Sequence, residues 1–93
     1  MSEPLRHGHL EEGVPADLPD ELVTVLASGP GVRVVRIVSR GHVTPPGEWY
    51  EQAEDEFVLV VSGAARLEFG THDLELRAGD WVDLSAGVRH RER

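Results

Sequence analysis

The chain contains neither cysteine nor lysine. The first absence excludes disulfides and thiolate ligands, so any metal site has to use nitrogen and oxygen donors. The second excludes a lysine Schiff base, the terminal amine aside. Aromatic residues are scarce, with two Trp, two Phe and one Tyr. No stretch approaches the roughly 18 apolar residues of a membrane span. Met1 to Val14 is polar, without the apolar block or cleavage-like end of a signal peptide. The expectation is a cytoplasmic protein. Basic charge is short as well: nine arginines face 17 acids, for a net charge of −8. That balance argues against nucleic acid, which needs a basic footprint, and against an anionic membrane surface. With 93 residues there is room for one core. A domain this small buries only roughly 60–65% of its unfolded surface, so pairing into a homodimer is expected.

What is present is turn chemistry. Residues 1–19 are rich in Pro, Gly, Glu and His with little periodicity, and read as a flexible N-terminal arm ahead of a β domain over 20–93. Within the arm, His7 and His9 have the spacing of a metal pair, although a loose arm gives them no support. Asp17 is placed to cap a helical turn over 17–20. Leu22 to Leu26 is β-branched enough for a strand, Ser28 to Gly31 is a turn, and Val32 to Val38 is a second strand, giving a hairpin. Gly41 to Gly47 contains Pro45 and Pro46 and has to be a loop. His42 sits in that loop, either as a surface residue or as a ligand at the rim of a cavity.

Five acids fall between Glu48 and Glu56. They read as a solvated edge, with Glu56 free to turn inward while Glu51, Glu54 and Asp55 face out. Phe57 to Val61 is a continuous apolar run, the mark of a strand buried on both faces or one that joins two sheets. Ala64 to Phe69 alternates, with Ala65, Leu67 and Phe69 on one face. Ser62-Gly63 reads as a tight hairpin between these two runs. Gly70 to Asp73 is a turn that exposes His72, and Leu74 to Leu76 alternates again. Trp81 to Leu84 is a short strand between the Gly79-Asp80 and Ser85-Ala86-Gly87 turns, with His90 three residues past the last glycine. Trp49, Phe57, Phe69 and Trp81 are expected mostly in the core. Seven or eight short strands and no long helix predict an all-β sandwich or closed barrel.

Gly79, five residues, Ser85, one residue, Gly87, two residues and His90 resemble the second motif of the cupins, with serine where proline is usual. Glu56, six residues and Gly63 match the end of the first cupin motif. The segment from Val32 to His90 is similar to small single-domain bacterial cupins through "RIVSRGH", "WYEQAEDEFVLVVSGAARLEF" and "LRAGDWVDLSAGVRHR". The resemblance implies a cupin-type jelly-roll β-barrel. Cupins of this sort continue past the histidine for a strand or two that close the barrel. With the sequence ending at Arg93, three readings stay open: the N-terminal strand covers that edge, a second copy covers it, or the chain is a shortened version that lacks its last strands.

The resemblance also implies a divalent transition metal such as Fe, Ni, Mn or Zn inside the barrel. His90 and Glu56 fall on ligand positions. The His-x-His pair usual upstream is replaced by Tyr50 and Gln52, which are two apart and share a strand face. His42 is a further candidate nitrogen. One imidazole binds such metals more weakly than three, and the same four residues could instead form a metal-free polar cluster. Glu56 and His90 are also candidate acid and base without a metal. Arg89 could bind a carboxylate substrate, and Trp81 or Tyr50 could line its pocket. The readings are metal-dependent dioxygenation or isomerisation of a small organic molecule, a non-catalytic small-molecule binding or sensing module, or a structural dimer unit.

Overall fold

The structure, a computed structural model, describes residues 5–92. The first four residues of the predicted arm lie outside that range. The chain forms two compact units, one ending at His42 and one beginning at Val43.

The first unit is built on an antiparallel hairpin of β1 (Leu22–Gly29) and β2 (Val32–Val38). Its β-branched residues suit a pleated strand. β1 runs further than its sequence predicts, because the reversal needs only Pro30 and Gly31, and Gly31 takes the positive φ (+75°) that a side chain would resist. The register shifts between Val25 and Ala27, so Leu26 is the extra residue of a bulge. The helical turn expected at 17–20 is absent; Pro19 and Asp20 form bends, and Asp17 and Leu18 are irregular. A helix would need its own carbonyls, and here nearby carbonyls are taken by side chains. Arg36 donates to Leu10 O (3.0 Å) and Glu12 O (2.6 Å), and reaches Thr24 Oγ1. Arg40 donates to Pro15 O and Ala16 O. His42 Nε2 donates to Pro19 O, while its Nδ1 accepts from Arg40 N.

The second unit carries β3 (Glu56–Leu59), β4 (Ala64–Glu68), β5 (Asp73–Arg77), β6 (Trp81–Leu84) and β7 (Arg91–Glu92). β3 pairs with β6, and β4 lies between β5 and β7. All pairings are antiparallel. The result is the all-β, jelly-roll type of architecture, with no hydrogen-bonded ring closing the sheets among the described residues. The Ser62-Gly63 hairpin is a correction: β3 and β4 do not pair. The chain turns there, with Gly63 at φ +78°, and passes from one sheet to the other.

The interior is a cluster of Leu67, Leu76 and Leu84, flanked by Val58, Val60, Phe69, Leu74, Val82 and Val88. It explains which faces turn inward. Leu67 stands opposite Leu74, and Ala65 opposite Leu76. On β3 the even positions Glu56 and Val58 are half-buried while Phe57 and Leu59 are exposed. The run from Phe57 to Val61 is therefore not buried on both faces. Phe57 and Trp81 lie outside the core they were expected to fill, and the leucines fill it instead. The outer face of β4 is closed by an ion pair: Arg91 Nε meets Glu68 Oε2 at 2.6 Å, with Glu68 almost fully buried.

Candidate functional site

The register of β3 against β6 continues beyond the strands themselves. Val60 N donates to Asp80 O at one end, and Tyr50 forms a bridge with His90 at the other. Tyr50 N donates to His90 O (2.7 Å), and His90 N donates to Tyr50 O (2.9 Å). The mid-chain segment and the C-terminal segment thus run side by side from Tyr50–His90 to Val60–Asp80. Cross-strand partners share a face. Tyr50 faces the same way as His90, and Glu56 the same way as its partner Leu84.

The turn that aims His90 is tied at three points. Val88 N donates to Ser85 O (3.2 Å), and Gly87 N to Gln52 O (2.8 Å). Ala86 N donates to Asp55 Oδ1 (2.8 Å). Gly87 adopts φ +85°, which favours glycine. The preceding turn is held similarly, since Arg77 N donates to Asp80 Oδ2 (2.8 Å). A rigid main chain thus delivers the imidazole, and His90 is only 6% exposed.

Its ring is fixed as well. Nδ1 donates to Val88 O at 3.0 Å, because a carbonyl can only accept. In the neutral ring this leaves the lone pair on Nε2. The ring lies between Tyr50 (centroids 6.0 Å, tilted 50°) and Phe69 (6.4 Å, tilted 40°). Phe69 in turn stacks on His72 at 5.1 Å. His72 is exposed, as its turn predicts, and its Nδ1 is 3.0 Å from the Thr71 hydroxyl.

The other candidates are placed as follows. Tyr50 is directly beside His90. Gln52 reaches the His90 turn through its backbone carbonyl, and Glu56 lies further along the same face. Among the described residues no group of three or more His, Asp or Glu side chains is arranged to hold a metal ion. His42 belongs to the first unit, where both ring nitrogens have partners. Arg89 and Trp81 alternate with His90 and Val82 and point to the outer face. The Arg89 and Arg91 guanidiniums lie over the Trp49 ring, 4.6 and 4.5 Å from its centroid. Trp81 stacks on Phe57. A cleft of about 320 Å³ in this unit is lined by Val43, Thr44, Pro46, Gly47, Arg91 and Glu92. The strand that carries His90 forms one wall of it.

Asp55 is exposed, as expected, but sequence reasoning missed that its carboxylate also accepts from Ala86 N and so holds the His90 turn. It also missed Phe69 as a neighbour of the imidazole. The second had a signal in the alternation of Ala65, Leu67 and Phe69; the first had none, since a tie across 31 residues leaves no local pattern.

No family model and no curated protein matches the chain. Among solved structures, it is similar to a Ralstonia eutropha JMP134 protein described as a "putative mannose-6-phosphate isomerase". The identity is 41%, the match covers 95% of this chain and 83% of that one, and the TM-score is 0.88. No helix among the described residues is long and apolar enough to cross a membrane.

Proposed function

The chain belongs to the cupin superfamily, and on that premise we propose that it is a homodimeric small-molecule-binding module whose polar inner face, with His90 at its centre, receives a small organic ligand. One observation carries the reading. His90 is buried, its Nδ1 is committed to Val88 O, and its Nε2 has no hydrogen-bond partner among the described residues. Nε2 is not a buried orphan, so its lone pair is an acceptor that the protein leaves open and reachable, and a ligand hydroxyl can donate to it. Tyr50, Gln52 and Glu56 supply the further polar contacts on that side. The ligand this favours is hydroxyl-rich, and the name carried by the Ralstonia protein makes sugars and sugar phosphates the first compounds to try. Thermal-shift and calorimetric titration of the purified chain with such a panel tests it. A binder should lose about tenfold or more in affinity in His90→Asn. A panel without a binder, or a binder indifferent to His90, would sink the reading.

A second reading has its own support. A histidine that donates one ring N–H to a backbone carbonyl presents the other nitrogen as metal-bound imidazoles do. The donor types fit a divalent transition metal, with His90 as the nitrogen ligand and Glu56, Gln52 and Tyr50 as oxygen donors, though one imidazole makes the site weak. Such a metal would supply Lewis acidity toward a ligand carbonyl, for isomerase or dioxygenase chemistry. Elemental analysis decides between the readings. Stoichiometric metal in the wild type that is lost in both His90→Asn and Glu56→Gln selects the metal site. Metal-free protein that still binds a ligand through His90 selects the first reading.

A further inference from the structure

The outer face of β3 and β6 is apolar where a solvated face is normally polar. Phe57 is 63% exposed, Leu59 53%, Val61 59% and Trp81 61%. Leu59 stands opposite Trp81 and Phe57 opposite Asp83, so the two rings meet on the diagonal. They are stacked, with centroids 5.5 Å apart and planes 24° from parallel. The pair stands as one preformed aromatic plate, and ordering it on contact costs little side-chain entropy. Asp83 is the acid paired into this face.

Its size can be compared with what a stable contact needs. Rings of this kind present roughly 150–250 Å² each, so the exposed parts of Phe57 and Trp81 amount to about 250 Å². Leu59 and Val61 extend the patch to a few hundred Å², the upper end of what a monomer leaves in water. A two-fold contact uses the same patch on both partners. With a polar rim around this centre, it approaches the roughly 800 Å² per partner of a standard interface.

The interior says which partner. Among the described residues, the buried apolar side chains are Leu67, Leu76 and Leu84, and none of them is completely shielded from solvent. A domain this small is marginal even with a full core. The shortfall belongs to the chain itself, so the surface that makes it good has to be present wherever the chain is. A second copy meets that condition. A basic protein drawn by the net charge of −8 would find, within the paired residues of β3 and β6, Asp83 as the one carboxylate beside Phe57, Leu59 and Trp81.

We propose that Phe57, Leu59, Val61 and Trp81 form the centre of a two-fold contact with the same face of a second copy. The proposal rests on the homodimer reading above and names the surface that makes it. Sedimentation velocity of the full chain over a concentration series tests it, comparing the wild type with Phe57→Thr/Trp81→Thr and with Leu59→Glu. All three positions are exposed, and threonine keeps the strand preference, so circular dichroism should be unchanged. If one variant fails to fold, the other carries the comparison. The expected result is a wild-type dimer whose dissociation constant rises about 100-fold or more in the variants, as for central aromatic anchors. Raising the salt concentration should strengthen the wild-type dimer, because it screens repulsion between two acidic chains. A folded variant that stays fully dimeric would overturn this face while leaving the homodimer intact. A wild type that is monomeric throughout would overturn both. Association that salt weakens would mean a charge-led contact elsewhere, and would also overturn the face.

Discussion

Both compact units contain a paired antiparallel ladder, but they hold the rest of their backbones by different means. Up to His42, side chains bond main-chain carbonyls: Arg36, Arg40 and His42 fasten the residues between Leu10 and Pro19. From Val43 onward, the chain is held by a leucine interior, a long cross-strand register and one near-buried ion pair. A sequence poor in aromatics and rich in arginine has both options. Proline-rich segments cannot donate regularly to a ladder, so their carbonyls are left for guanidinium donors. Segments with strict alternation can bury one face, and they do.

Four substitutions test this contrast, read as changes in unfolding free energy by chemical denaturation. Leu76→Ala should cost the most, about 3 kcal/mol, because it removes transfer energy and leaves a cavity in a three-leucine interior. Glu68→Ala should cost about 2 kcal/mol; this is less than a fully buried pair loses, since the Arg91 side chain is 28% exposed. Gly87→Ala should cost about 1–2 kcal/mol from backbone strain alone, because nothing lies near the added methyl. It should also weaken any ligand that depends on His90. Arg36→Met should cost about 1 kcal/mol and should speed amide exchange mainly near Leu10 and Glu12. An Arg36→Met loss as large as that of Leu76→Ala would break the contrast, and the polar fastening would then rank with the core.

The turns and the inner face were legible in the sequence because their causes are local. Gly79-Asp80 and Gly87 mark conformations that few other residues adopt, and both are found where the dipeptides stand. Alternation told which residues of β4 and β5 face inward. The spacing from Glu56 to Gly63 and from Gly79 to His90 placed the two segments that the fold lays side by side. Pairing partners were less legible. Ser62-Gly63 has the chemistry of a hairpin, but whether its flanking strands pair is decided by where β6 lies, some twenty residues away. The apolar run from Phe57 to Val61 likewise gives no sign of which side lacks a cover. The hydrogen bond from Ala86 N to Asp55 depends on the completed register, so the acidic stretch hid the one carboxylate that fastens the turn.

Trp49 lies beneath both Arg89 and Arg91, the residues on either side of His90. An indole in that position is a built-in optical probe. Its emission is sensitive to the two cations over its ring, and so to small movements of the strand that carries the imidazole. With Trp81→Phe leaving it as the sole fluorophore of its kind, unlabelled protein could report occupancy of the inner face directly, through light.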